Sequence, residues 1–274
     1  MAAELGYGKV AGMAHRFGLS RDYPKKPVFI VGCPRSGTSI FNTMLTVNPN
    51  IANLSEAIYI WEPRDFDQKR DHIKMMSDVT ESDMARIRGA FGLYQRIKGK
   101  PCFVNKNPRS SVRIGFIHKI FPEAYFIHIV RDGRAVVNSI MNIIKRQTHR
   151  QSIPLGGFCK PHHWKKLLDL SDLERHARQW VGIINEIETS KNLVPRDRWI
   201  EVKYEEFCLE PCNALADIYK RIGLEVDDKI LNMIKDMAKS QNHKWRDEFS
   251  RQELAYMDGI MSHWLRHYGY ADYP

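Results

Sequence analysis

A chain of 274 residues, 43% hydrophobic and 27% charged, is long enough to bury a substantial core and has the composition of an ordinary globular domain. No apolar run approaches the roughly 18 residues of a membrane span and residues 1–18 hold no apolar signal stretch, which argues against a membrane protein or a secreted one. Lys and Arg outnumber Asp and Glu 42 to 32, an excess of 10 that suits an anionic ligand, an acidic partner or nucleic acid.

The first element is a continuous apolar run, Val28–Val31, of the kind buried on both faces of a parallel sheet. It runs into Gly32-Cys-Pro-Arg-Ser-Gly-Thr-Ser39, a glycine-and-hydroxyl loop that opens a helix. Backbone N–H groups converge at such a helix N-terminus and cradle an anion. Gly32 and Gly37 keep the five-residue offset of the nucleotide-binding G-x-x-x-x-G-K-[ST] loop. Thr38 stands in the lysine slot, however, and Arg35 brings a cation inside the loop. The ligand expected is a nucleotide-type anion held differently from Mg·ATP.

Further along, Pro101–Val104, Tyr125–Val130 and Trp199–Val202 read as strands. Ile40–Val47, Asp83–Ile97, Ser111–Ile120 and Ala135–Lys145 carry helical periodicity. This alternation predicts an α/β fold: a three-layer, P-loop-like arrangement with a central parallel sheet flanked by helices. After about residue 150 helices dominate. Ser171-Asp-Leu-Glu174 and Ser250-Arg-Gln-Glu253 read as capping boxes, and Pro211–Ile222 and Asp228–Met237 as two more helices. One domain, 1–274, is expected, with a cofactor-binding core over 27–146, a flexible loop over 147–170 and a helix-rich part over 171–274. No acidic residue falls between Gly133 and Leu168, whereas Arg134, Lys145, Arg146, Arg150, Lys160, Lys165 and Lys166 do; a solvated basic face or a flap over the ligand are both consistent with that. The five cysteines are odd in number and scattered, pointing to a reduced, cytoplasmic setting.

Ligands of doubly wound sheets lie beyond the carboxyl ends of the strands. Three strand ends here carry polar clusters: Gly32–Ser39, Val104-Asn-Lys-Asn-Pro108, and Val130-Arg-Asp-Gly-Arg134 with Ser139 in the following helix. If the strands are parallel, Arg35, Lys106 and Arg131 surround one anion. Cys159, His162 and His163 make an incomplete zinc set, and no metal site is expected.

These residues carry a family resemblance. Cys33-Pro-Arg-Ser-Gly-Thr-Ser39 resembles the 5′-phosphosulfate loop of PAPS-dependent sulfotransferases. Ile129-Val-Arg-Asp-Gly-Arg-Ala-Val-Val-Asn-Ser139 resembles their 3′-phosphate motif, with the same Arg-to-Ser spacing of eight. The likeness is nearest to the tyrosylprotein-sulfotransferase branch, where a similar segment corresponds to Asn105-Lys-Asn-Pro108. It is specific over about 27–141 and returns at Val202-Lys-Tyr-Glu-Glu-Phe207 and at the terminal Leu-x-x-Tyr-Gly-Tyr270.

The resemblance implies that Arg35, Ser36, Gly37, Thr38 and Ser39 hold the 5′-phosphosulfate and that Arg131 and Ser139 hold the 3′-phosphate. It sets Tyr204 near the adenine and Lys244 in a loop closing over the cofactor. Lys106 and Arg35 would stabilise the leaving phosphate. Glu56, which follows Arg35 by 21 residues, would be the general base, with Glu62 in reserve. PAPS is then the donor, PAP the product, and no metal is needed. An arginine of that branch, four residues beyond the motif serine, is Ile143 here, leaving Lys145 or Arg146 to substitute. The Golgi anchor and luminal disulfides of that branch are not visible, so a hydroxyl on a small molecule is the acceptor expected, less readily a nitrogen. The alternatives are a tyrosylprotein or carbohydrate sulfotransferase and, from other classes, a P-loop kinase or a basic nucleic-acid-binding module. Nucleic acid is not the expected partner, because it leaves both phosphate motifs unexplained. Acceptor identity and oligomeric state stay open.

Overall fold

The computed structural model describes residues 23–62, 71–237 and 244–271. Its centre is a five-stranded parallel sheet in the order β2-β3-β1-β4-β5: β1 is Pro27–Val31, β2 Ile51–Asn53, β3 Cys102–Lys106, β4 Tyr125–Val130 and β5 Trp199–Lys203. From β1 the chain passes to the edge strand β2, returns to β3 between β2 and β1, then crosses to the other side for β4 and β5. β1 is therefore the point where strand order reverses, and the crevice beyond its carboxyl end is where such sheets bind ligands. Strand β2 was not foreseen. At three residues after Asn48-Pro-Asn50 it is too short for a periodic signal, and its pairing with β3 defines it.

Side chains alternate across the sheet with the two-residue period of a strand. Phe29, Val31, Phe103, Phe126 and Val130 enter one apolar layer with α3 (Glu81–Lys98), α4 (Ile114–Ile120), α5 (Gly133–Arg146), α6 (Asp172–Lys191) and α10 (Arg251–His267). Val28, Ile30, Val104, Ile127 and Ile129 enter the other, against α1 (Thr38–Leu45), α7 (Tyr204–Leu209), α8 (Pro211–Arg221) and α9 (Asp228–Met237). The short α2 spans Ile58–Trp61. This is the three-layer arrangement expected from the alternation of strand and helix.

Ser250 and Glu253 form the reciprocal capping box predicted at the start of α10. At α6, Ser171 accepts from the Glu174 N–H. The stretch beyond α5 folds as successive 3-10 turns, Thr148–Arg150, Pro154–Gly157 and Trp164–Leu167. Leu155, Cys159, Lys160 and Trp164 within it are buried, and Gln179 of α6 donates to the Cys159 carbonyl at 2.7 Å. All five cysteines are free. Among the described residues no helix is long and apolar enough to cross a membrane.

Candidate active site

The loop after β1 is built to leave donors available. Gly32 is tied on both backbone atoms to Ser111: its N–H donates to Ser111 Oγ at 2.9 Å, and Ser111 Oγ donates to its carbonyl at 2.8 Å. Gly37 precedes α1 at φ 94, a left-handed conformation, and no side chain caps the helix. The first-turn N–H groups of α1 thus open toward the loop, where the helix carries partial positive charge. A Cβ on Gly37 would lie 2.2 Å from the Tyr204 ring, so glycine is required both by φ and by the close approach of that ring. Ser36 Oγ is buried and has no hydrogen-bond partner among the described residues. An orphaned hydroxyl beside an uncapped helix end is the signature of a site that receives an oxyanion.

On one side of the loop stands a pair joined twice. Glu56 donates its backbone N–H to the Lys106 carbonyl at 2.8 Å, extending the pairing of β2 with β3. Lys106 Nζ in turn donates to Glu56 Oε1 at 2.5 Å. The lysine is buried and the carboxylate is 55% exposed. Glu56 adopts φ 50, a left-handed backbone that a non-glycine residue holds only when its surroundings impose it. Asn42 of α1 donates to Ser55 at 3.3 Å, connecting this turn to the helix that the loop opens. Lys106 is the last residue of β3; the strand runs two residues further than the sequence signals, which brings the ammonium to the sheet edge.

On the other side is a cavity of about 320 Å³ lined by Arg35, Arg131, Ser139, Arg146, Tyr204 and Trp245, among others. Arg35 Nε donates to Ser139 Oγ at 3.1 Å, and Arg131 Nη1 donates to the Arg35 carbonyl at 2.9 Å. The Arg131 guanidinium lies over the Tyr204 ring at 4.6 Å. Burial, followed by the charges of Arg131 and Arg150, lowers the Arg35 pKa. Burial pushes the Tyr204 hydroxyl up to about 12, keeping it neutral. Clustered guanidiniums around an open cavity are electrostatically unfavourable until an anion neutralises them.

The structure thus gathers Arg35, Ser36, Gly37, Thr38, Ser39, Arg131, Ser139 and Tyr204 around the loop and one cavity, with Glu56 and Lys106 as a separate pair. Arg35 turns toward Ser139, and Lys106 does not line that cavity. Lys244 begins a 3-10 turn, Lys244–Arg246, but its side chain lies outside the described residues. Glu62 is unsuited to its reserve role as a base. Its buried carboxylate is clasped by Arg109 Nη1 at 2.6 Å and by Arg113. Asp132 pairs with Arg134 at 2.8 Å. Of the two candidates to replace the arginine absent at Ile143, Arg146 lines the cavity with Ile143, whereas Lys145 faces a second cavity of about 590 Å³ with Met141, Ile144, Arg150 and Leu155.

Some participants were not foreseen. Ser111, Asn142, Trp245 and Glu248 were assigned no role, nor was Asn138 within the motif that ends at Ser139, although Asn138 and Asn142 lie on the same face of α5 as Ser139 and could have been found by helical periodicity. Among the described residues, His128, Glu188 and Glu201 are near enough to hold a cation, but Lys191 already bridges the two carboxylates at 3.4 and 3.1 Å.

The sulfotransferase family model matches residues 27–228. The chain is 29% identical over 227 residues to a protein-tyrosine sulfotransferase of Danio rerio, covering 79% of this chain and 58% of that protein. It is also 29% identical over 119 residues to an omega-hydroxy-beta-dihydromenaquinone-9 sulfotransferase of Mycobacterium bovis, covering 43% of this chain and 28% of that one. The chain spans about half the length of the protein-tyrosine sulfotransferases it matches. In fold it is similar to a sulfotransferase of Mycobacterium avium, with a TM-score of 0.59 at 13% identity over 93% of this chain and 81% of that one.

Proposed function

The chain belongs to the sulfotransferase family, and from that premise we propose that it transfers the sulfuryl group of PAPS to an acceptor hydroxyl. The observation that carries this reading is the loop flanked by two different devices. The cationic cavity of Arg35, Arg131 and Ser139 lies to one side, and the Glu56–Lys106 pair to the other. The uncapped α1 N-terminus, the orphaned Ser36 hydroxyl and the absence of room for a Cβ at Gly37 fit a 5′-phosphosulfate in the loop. Arg131 and Ser139, with Arg35 beside them, would hold the 3′-phosphate, a role that suits a guanidinium fork. Tyr204, packed against Gly37 and under the Arg131 guanidinium, offers a ring face for the adenine.

PAPS, when bound, supplies the sulfuryl group and leaves as PAP. The residues of the chain have to position and neutralise, as in phosphoryl transfer. Lys106 Nζ donates to the leaving phosphate oxygen, for which its contact with Glu56 must loosen. Glu56, half-exposed and held by its own backbone bond, takes the proton from the acceptor hydroxyl at its carboxylate.

For the acceptor, the named relatives support a tyrosyl hydroxyl of a protein more than the small molecule expected from the sequence. The net charge of +10 suits an acidic polypeptide around such a tyrosine. A small hydroxyl compound is the second reading, favoured by the relative whose name specifies a menaquinone derivative and by the partly apolar 590 Å³ cavity. Incubation with PAPS labelled at sulfur, against a tyrosine peptide in an acidic context, its phenylalanine counterpart and a panel of small phenols and alcohols, tests both. Label confined to the tyrosine peptide supports the protein acceptor, and label only on small compounds supports the second reading. Absence of label on any hydroxyl, with tight binding of ATP in place of PAP, overturns the proposal.

A further inference from the structure

Arg131 is held in place by residues far from it in sequence. It leaves β4 just before Asp132, which starts α5 by accepting the Arg134 N–H at 2.9 Å. The Asp132 backbone N–H donates to Glu205 Oε1 at 3.2 Å. The other Glu205 oxygen accepts from Tyr270 Oη at 2.6 Å. The Tyr270 carbonyl then accepts from Arg134 Nη2 at 2.9 Å, and the same nitrogen reaches Asp132 Oδ2 at 2.8 Å. Asp132, Glu205, Tyr270 and Arg134 thus close a ring of hydrogen bonds, and all four are buried.

On the reading of the cavity given above, we propose that Glu205 and Tyr270 are positioning residues that aim Arg131 at the 3′-phosphate. Fixing the Asp132 N–H fixes the backbone from which Arg131 projects, and Arg131 then spans between the Arg35 carbonyl and the Tyr204 ring. Glu205 lies in the first turn of α7, so the bond it accepts ties the end of β5 to the start of α5. The segment after α10, through Tyr270, is in this way part of the phosphate site without touching the ligand. A side chain buried in a polar ring has few alternative positions, since leaving it orphans its partners.

A ring that merely ties α10 to the sheet would affect stability and all nucleotides alike, whereas one that aims Arg131 discriminates by the 3′-phosphate. Isothermal titration of the full chain with PAP and with AMP separates these. Tyr270→Phe removes a single hydroxyl and is expected to weaken PAP about tenfold while changing AMP less than twofold, on the scale of one hydrogen bond to a charged group. In an Arg131→Ala background the same change is expected to cost PAP affinity less than twofold. Glu205→Ala should reproduce the selective loss, and Glu205→Gln, which keeps an acceptor for the Asp132 N–H, should restore PAP binding to within threefold of wild type. Equal loss of PAP and AMP, additivity with Arg131→Ala, or Glu205→Gln as weak as Glu205→Ala overturns the inference. Should the wild-type chain discriminate PAP from AMP and Tyr270→Phe discriminate equally well, the positioning role alone falls. A wild-type chain that binds both nucleotides alike sinks the reading of the cavity and this role with it.

Discussion

Replacing Glu56 by Gln separates chemistry from architecture. The carboxylate is 55% exposed, so its ion pair with Lys106 is screened by solvent and contributes no more than about 1 kcal/mol to stability. Gln retains an oxygen that can accept from Lys106 Nζ, and the backbone bond from residue 56 to the Lys106 carbonyl does not depend on the side chain. The buried ammonium is therefore not stranded. Loss of a general base, by contrast, lowers turnover by about a hundredfold or more, or roughly 2.7 kcal/mol in activation free energy. The expected result is a variant that melts within a few degrees of wild type, binds PAP as before and turns over at least about a hundred times more slowly. Thermal unfolding, PAP titration and turnover at saturating PAPS on one preparation provide the check. Turnover within about threefold of wild type would refute the assignment of Glu56 as the base, and a large drop in melting temperature would refute the weak, solvent-screened ion pair.

Gly37→Ala places a methyl 2.2 Å from the Tyr204 ring at φ 94. It is expected to cost about 1–2 kcal/mol for the backbone alone and to weaken PAP by displacing Tyr204, as thermal unfolding and titration would register. Ser111→Ala orphans both backbone groups of Gly32, an expected loss of about 2–4 kcal/mol in denaturant unfolding; a neutral effect would mean the loop is fixed elsewhere. Arg146→Ala should weaken PAP several-fold and Lys145→Ala hardly at all, because only Arg146 lines the cavity with Arg131; equal effects in titration would contradict that geometry. Burial, reinforced by the Lys191 charge, lowers His128 to about 3, against about 6.5 for the unfolded chain. Between those values the unfolded chain takes up a proton that the folded chain refuses. Stability therefore falls as pH drops from about 6.5 toward 3, by at most about 1.4 kcal/mol per pH unit for this group. His128→Leu should flatten the acid limb of Tm against pH, leaving the share of His72, which burial also lowers to about 3.

Local signals carried much of the fold and part of the site. Continuous apolar runs placed β1 and β4, helical periodicity placed α1, α3, α5 and α9 to within a few residues, and the motifs placed the Gly32–Ser39 loop and Arg131 at strand ends. Those features are written in neighbouring residues, where backbone preference and side-chain period act directly. Other features join residues 50 to 136 positions apart: Glu56 with Lys106, Ser111 with Gly32, Glu205 with Asp132 and Tyr270 with Arg134. No local period encodes such contacts. They depend on sheet order and on the register of β2 with β3 and of β1 with β4, which the whole core sets. For the same reason the sequence left Lys145 and Arg146 equivalent and Glu62 available as a base. Helix phase on the packed α5 separated the first two, and Arg109 and Arg113 converging from another segment enclosed the third.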